Sequence, residues 1–422
     1  VTEPGPNARS EPSPAPPVSP GPLGIVLGGG GARAAYQVGA LRFIARRFPH
    51  LRIPVVTGVS AGAINTALLA SHHGTLPQAV RELDGLWSKL TVDDVFRTDT
   101  RSLAANMVRW GIQLVSGGVK HTPRIRSLVD TRPLREYLSE VLHAVEGRLT
   151  GIEYNIRQGR LRAVGISTSC YTTGQSITWI EGSDEVDEWE RPQRLARRAR
   201  LTVDHVMASC ALPLFFPAIE LDGMWYGDGG IRLSAPLSPA LHLGAKRILA
   251  VSTRYDRSLE EARRPSVHGY PPPAQVMSQL VNSVFLDLLD QDAWRLDLIN
   301  RLVGKLPPEE REGLEVVDVL TLRPSRDLGR LAAGYEPQLP GLFRWLTRGL
   351  GTRETESPDA LSIVLFEPDY LKRLMDLGEA DAEERAGEIE AFLERSGGDG
   401  EVGGRQGAAD VRQPEDTPLG VP

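Results

Sequence analysis

Three glycine-flanked stretches carry the residues whose types and spacing suit chemistry. In Gly58-Val59-Ser60-Ala61-Gly62 a serine stands between two glycines, just after an apolar run and just before a helix-forming one. A serine hydroxyl is a weak nucleophile unless it is exposed, held in place and set beside a base. A Gly-x-Ser-x-Gly turn between strand and helix does the first two jobs, and the first N–H groups of the helix favour developing negative charge. With 43 glycines in 422 residues, roughly 0.3 such matches arise by chance, so the motif carries weight only through its context.

Gly28-Gly29-Gly30-Gly31-Ala32-Arg33 also follows an apolar run and opens a helix. Successive glycines let backbone N–H groups turn toward an anion, and two such donors can stabilise the oxyanion of a tetrahedral intermediate. The competing reading is a phosphate or dinucleotide loop. Gly-x-Gly-x-x-Gly would need glycine at Arg33 or Ala34, and no Gly-Lys-Ser/Thr follows, so nucleotide binding has little support.

The third stretch is Trp225-Tyr226-Gly227-Asp228-Gly229-Gly230. A carboxylate between glycines can approach another turn closely and take a hydroxyl proton as general base. Taken alone, Asp-Gly reads more simply as a surface hairpin turn. The eight histidines include none in a convincing post-strand loop, although a Ser–His–Asp arrangement using His242 or His268 stays open as an alternative.

The elements that must position these residues alternate along the chain. Leu23–Leu27 reads as a buried strand, Ala35 to Phe48 as a helix, Ile53–Thr57 as a second strand and Ala63–Ala70 as a second helix. That βαβα order favours a parallel sheet covered by helices. Residues 161–169 and 175–181 read as a hairpin, and Arg247–Ser252 and Glu315–Leu322 as further strands. Met277, Val281, Val284, Leu288, Leu296, Ile299 and Val303 form a long helical stripe that is expected to pack into the core.

A net charge of -6 gives no reason to expect a nucleic-acid partner. Two cysteines make neither a disulfide framework nor a metal site and fit a reducing compartment. No apolar run reaches the length of a membrane span. The Pro-rich start also lacks a basic-then-apolar leader pattern, so a cytoplasmic location with transient membrane-surface contact is expected. Residues 1–22 and 397–422 are too poor in large apolar side chains to order themselves. The expected organisation is a disordered leader at 1–22, a catalytic domain at 23–252, a mainly helical extension at 253–396 and a disordered tail at 397–422. Leu103–Val115 reads as a core-facing helix or, less simply, as a lid, within a stretch (101–127) where a lid would fall. Arg191, Arg194, Arg197, Arg198 and Arg200 read as a solvated helix face, or as a surface for anionic head groups.

Together these blocks resemble the patatin-like phospholipase family. Gly29-Gly30-Gly31-Ala32-Arg33 is similar to its oxyanion loop, Gly58-Val59-Ser60-Ala61-Gly62 to its nucleophile elbow, and Asp228-Gly229-Gly230 to its Asp-Gly-Ala/Gly motif. Ala208–Pro217 is similar to the segment preceding that aspartate. The resemblance implies an α/β fold of three layers, α/β/α, around a mainly parallel sheet. It implies a Ser60–Asp228 dyad with no histidine, metal or cofactor, acting on lipid acyl esters through an acyl-serine intermediate, with Arg33 holding or polarising the oxyanion loop. Ala34 departs from the pattern, which usually has glycine there. A silent lipid-binding or interaction protein of the same fold is the alternative. Oligomeric state, head-group preference and chain-length preference have no signal in the residues.

Overall fold

A computed structural model describes residues 21–97, 127–263, 267, 269–338 and 358–394. Its strands in chain order are β1 (Leu23–Leu27), β2 (Val55–Val59), β3 (Ala163–Cys170), β4 (Ser176–Gly182), β5 (Glu190–Arg191), β6 (Arg194–Arg198), β7 (Ile219–Leu221), β8 (Met224–Asp228), β9 (Arg247–Val251) and β10 (Asp318–Leu322). They form one sheet in the order β10-β9-β1-β2-β3-β4-β6-β5, with the β7–β8 hairpin joined to the end of β3. The five central and flanking strands β10, β9, β1, β2 and β3 run parallel, whereas β4 and β8 are antiparallel to β3.

Period-2 alternation explains how these short apolar strands serve two faces. Ile25 and Leu27 of β1, Val56 of β2 and Leu249 and Val251 of β9 join one core. Val26, Val55, Ile248 and Ala250 join the other. The first face is covered by α1 (Ala35–Arg47), α2 (Ala61–Ser71), α3 (Leu76–Lys89) and a late helix, Pro368–Glu384. The second is covered by Ser238–His242 and Asp287–Val303. The result is the expected three-layer arrangement.

Some expectations need correction. The stripe from Met277 to Val303 is only partly core: Met277 and Ile299 are 51% and 45% exposed, and the buried apolar residues among those described are Leu286, Leu289, Leu296 and Val303. A π-helical turn at Asn282–Leu286 separates Pro273–Val281 from Asp287–Val303, and its extra residue rotates the register of the following face. The arginine-rich run is not a helix face. Its residues 191–198 include β5 and β6 at the sheet edge, where charge discourages pairing with another chain, and only Leu195 and Ala196, on opposite faces of the sheet, are buried. The helix or lid expected at Leu103–Val115 lies outside the described residues. No helix among the described residues is long and apolar enough to cross a membrane.

Candidate active site

Ser60 occupies the single residue between β2 and α2, with φ 54° and ψ -135°. A non-glycine residue pays about 1–3 kcal/mol for such a conformation, which persists only where the surroundings over-determine it. They do so here. A Cβ on Gly62 would lie 2.3 Å from the Leu27 carbonyl oxygen, and one on Gly58 would lie 2.2 Å from Thr66 Oγ1. The Ser60 N–H donates to Ser209 Oγ at 3.0 Å, and the Ser209 hydroxyl donates to the Ser167 carbonyl at 2.7 Å. The Cys210 thiol donates to the Ser60 carbonyl at 3.0 Å. Burial raises that thiol's pKa well above its ordinary value, so it stays protonated.

Asp228 ends β8 and is fully buried, so it is not the surface hairpin turn that Asp-Gly alone suggested. Its N–H donates to the Ala211 carbonyl, which fixes the backbone. Its Oδ1 accepts the Gly230 N–H at 2.9 Å, and its Oδ2 accepts the Ser60 hydroxyl at 2.6 Å across 168 residues of sequence. Gly229 lets this turn close against β3, since a Cβ there would lie 2.1 Å from the Ser167 carbonyl oxygen. Burial pushes the Asp228 carboxyl up to about 7, while the hydrogen bonds from Ser60 and Gly230 pull the other way. A carboxylate in that range is suited to exchange a proton at neutral pH.

The glycine loop leaves β1 and passes beside the elbow. Gly30 and Gly31 have φ of 144° and 57°. The Gly29 carbonyl accepts from Thr253 Oγ1 at 2.6 Å and the Gly28 carbonyl from Gln37 Nε2 at 2.8 Å. Behind them, Asn65 Nδ2 donates to Gln37 Oε1 and Trp87 Nε1 donates to Asn65 Oδ1. Ala34 has ordinary helical dihedrals, and its carbonyl accepts from Asn65. The backbone makes no demand for glycine there. Arg33 is 2% exposed and pairs away from Ser60, with its Nε donating to Ser362 Oγ at 2.6 Å and its guanidinium bound to Asp359.

Of the residues expected to act together, Ser60 bonds Asp228, Gly29 lies against Ser60 and Gly31 lines the same pocket as Ser60, whereas Gly30 faces Thr253 and Arg33 pairs with Asp359 and Ser362. Ser209, Gln37, Asn65 and Thr253 were not singled out from sequence. Of these only Ser209 had a signal, as part of the Ala208–Pro217 block. Among the described residues no histidine hydrogen-bonds Ser60; His205 caps its own helix through Thr202 and His242 stacks on Trp189, while His268 lies outside the described residues. No group of three or more His, Cys, Asp or Glu among the described residues could hold a metal ion. Beside Ser60 lies a small apolar pocket lined by Ile64, Leu90, Val95, Leu134, Phe216 and Phe366. A hydroxyl bonded to a buried carboxylate, facing a glycine loop and an apolar pocket, is an arrangement that can open an ester bearing an apolar acyl group.

The patatin-like phospholipase family model matches residues 25–241, which include the glycine loop, Ser60 and Asp228. The chain belongs to the patatin-like phospholipase family. Solved structures similar to it include human GIVD cytosolic phospholipase A2, at TM-score 0.41 and 12% identity over 88% of this chain and 60% of that one. VipD from Legionella pneumophila matches at TM-score 0.35 and 13% identity over 85% and 67%. The type III effector protein ExoU matches at TM-score 0.34 and 13% identity over 89% and 54%. The patatin-like chain thus spans about three-fifths of the length of the human enzyme. A comparison with curated proteins matches none of them.

Proposed function

We propose that this chain hydrolyses lipid carboxylic esters through an acyl-serine intermediate, with Ser60 as nucleophile and Asp228 as general base. The observation that carries the reading is the 2.6 Å hydrogen bond from Ser60 Oγ to the buried Asp228 Oδ2. As Oγ attacks the ester carbonyl, Asp228 accepts the hydroxyl proton and negative charge gathers on the carbonyl oxygen. Backbone N–H groups of Gly29 to Gly31 and the start of α2 supply the partial positive charge for that oxygen. Collapse expels the alcohol, which takes the proton back from Asp228. Water then attacks the acyl-serine, giving its proton to Asp228, and release of the fatty acid returns that proton to Ser60.

The same proposal assigns residues 23–252 to the catalytic domain and 253–396 to an extension, with 1–22 and 397–422 as terminal segments. It includes transient contact with a membrane surface and a cytoplasmic location, which two buried free cysteines suit. The silent-protein alternative gains no support from a strained Ser60 already bonded to its base. The test is to incubate the full chain with a p-nitrophenyl acyl ester and, separately, with an alkyl fluorophosphonate. Ester turnover together with a mass increase on the peptide containing Ser60 is expected. An inert protein with unmodified Ser60 refutes the reading.

A further inference from the structure

A buried guanidinium keeps its charge, so it must be compensated where it lies. Both compensating groups of Arg33 come from the short helix Asp359–Val364, beyond the residues matched by the family model. Asp359 pairs with the guanidinium across 326 residues of sequence, and Ser362 Oγ accepts from Nε. Ser362 in turn donates to the Asp359 carbonyl at 2.5 Å, which locks the acceptor in place. The same helix presses on the glycine loop itself: a Cβ on Gly31 would lie 2.1 Å from the Ile363 carbonyl oxygen.

Asp359 also reaches the opposite side of the site. Its Oδ2 accepts from Asn282 Nδ2 at 2.8 Å, in the π-helical turn Asn282–Leu286. Phe285 of that turn packs against Gly230, where a Cβ would lie 2.6 Å from Phe285 Cδ1. Asp359 therefore ties the loop beside Ser60 to the turn beside Asp228.

We infer that Asp359 and Ser362 are positioning residues that hold the oxyanion loop through Arg33. The segment after residue 357 is then part of the catalytic unit and more than a cover for the core. A run of glycines is conformationally loose, and its N–H groups stabilise an oxyanion only when they are held in place beforehand. Losing the anchor therefore weakens the transition state more than it weakens substrate binding. The kinetic part of this inference rests on the proposed ester hydrolysis, whereas the ordering of the loop does not.

The test compares the full chain with Asp359→Asn and Ser362→Ala, by ester kinetics and by hydrogen–deuterium exchange. In both variants kcat is expected to fall about 10- to 100-fold with KM changed less than about threefold. Amides of residues 28–34 should exchange at least about tenfold faster, while β9 keeps its protection. If Asp359→Asn does not fold, Ser362→Ala decides. A folded variant with wild-type kcat, or one with reduced kcat but unchanged exchange at 28–34, overturns the inference. Faster loop exchange in a chain whose wild type is inert supports the anchoring and refutes only the ester reading.

Discussion

Gly29 stands directly against Ser60: a Cβ on Gly29 would lie 3.0 Å from the Cβ of Ser60 and 3.7 Å from its Oγ. In the proposed mechanism, the carbonyl oxygen of a bound ester uses the space that glycine leaves. Gly29→Ala keeps the backbone N–H but fills that space, so it should fold and lose about 10²-fold in kcat, the order expected when reacting atoms are misplaced by about 1 Å. Gly31→Ala should behave differently. Its φ of 57° and the nearby Ile363 carbonyl oxygen make the cost structural, about 2 kcal/mol or more. Kinetics and urea unfolding of the two variants separate these outcomes.

The Asp228 carboxyl, raised to about 7 by burial, sets a pH dependence of both rate and stability. Under the proposed mechanism Asp228 acts as base only when ionised, so kcat/KM should rise with pH along a single-proton limb centred near 7. A limb centred near 4 would contradict the burial argument.

For stability the sign is opposite. Between the unfolded carboxyl value of 3.8 and the folded value of about 7, the folded state holds a proton that the unfolded chain has released. The stabilising contribution is complete below the unfolded value and is lost as pH rises through about 7. Asp228→Asn removes this dependence. Its stability relative to wild type should improve from pH 5 to pH 8 by on the order of a few kcal/mol. Urea unfolding at both pH values measures it.

Behind the loop, Trp87, Asn65 and Gln37 form a buried relay ending on the Gly28 carbonyl. Asn65→Ala strands the indole N–H and the Gln37 carbonyl oxygen in an apolar interior. It should cost about 2–4 kcal/mol, measured as a lowered urea midpoint. An unchanged midpoint would mean that the relay does not hold the loop.

The parts of the site legible in the sequence were those whose demands fall on adjacent residues. Ser60 and Asp228 need small neighbours within one or two positions, and each motif sits at the end of a short apolar strand. Thr253, Gln37 and Asp359 act through contacts closed only by the fold, and a single polar residue leaves no local pattern. The outer helices were harder to read for another reason. Spacing from Met277 to Val303 assumes one unbroken helix, and the π turn at Asn282–Leu286 shifts burial onto Leu286 and Leu289. In the arginine-rich run, five charges outnumber Leu195 and Ala196, the two apolar residues that β6 buries.

In the proposed mechanism Asp228 removes the Ser60 proton without a histidine. The most direct measurement is kcat/KM of Asp228→Asn against wild type on a p-nitrophenyl acyl ester at pH 8, with the unfolding midpoint of each. Asparagine keeps the size of the side chain and its oxygen for the Gly230 N–H but cannot accept a proton in the same way. A loss of at least about 10³-fold in a folded variant is predicted. A folded Asp228→Asn protein that retains activity within a few-fold of wild type would contradict the account.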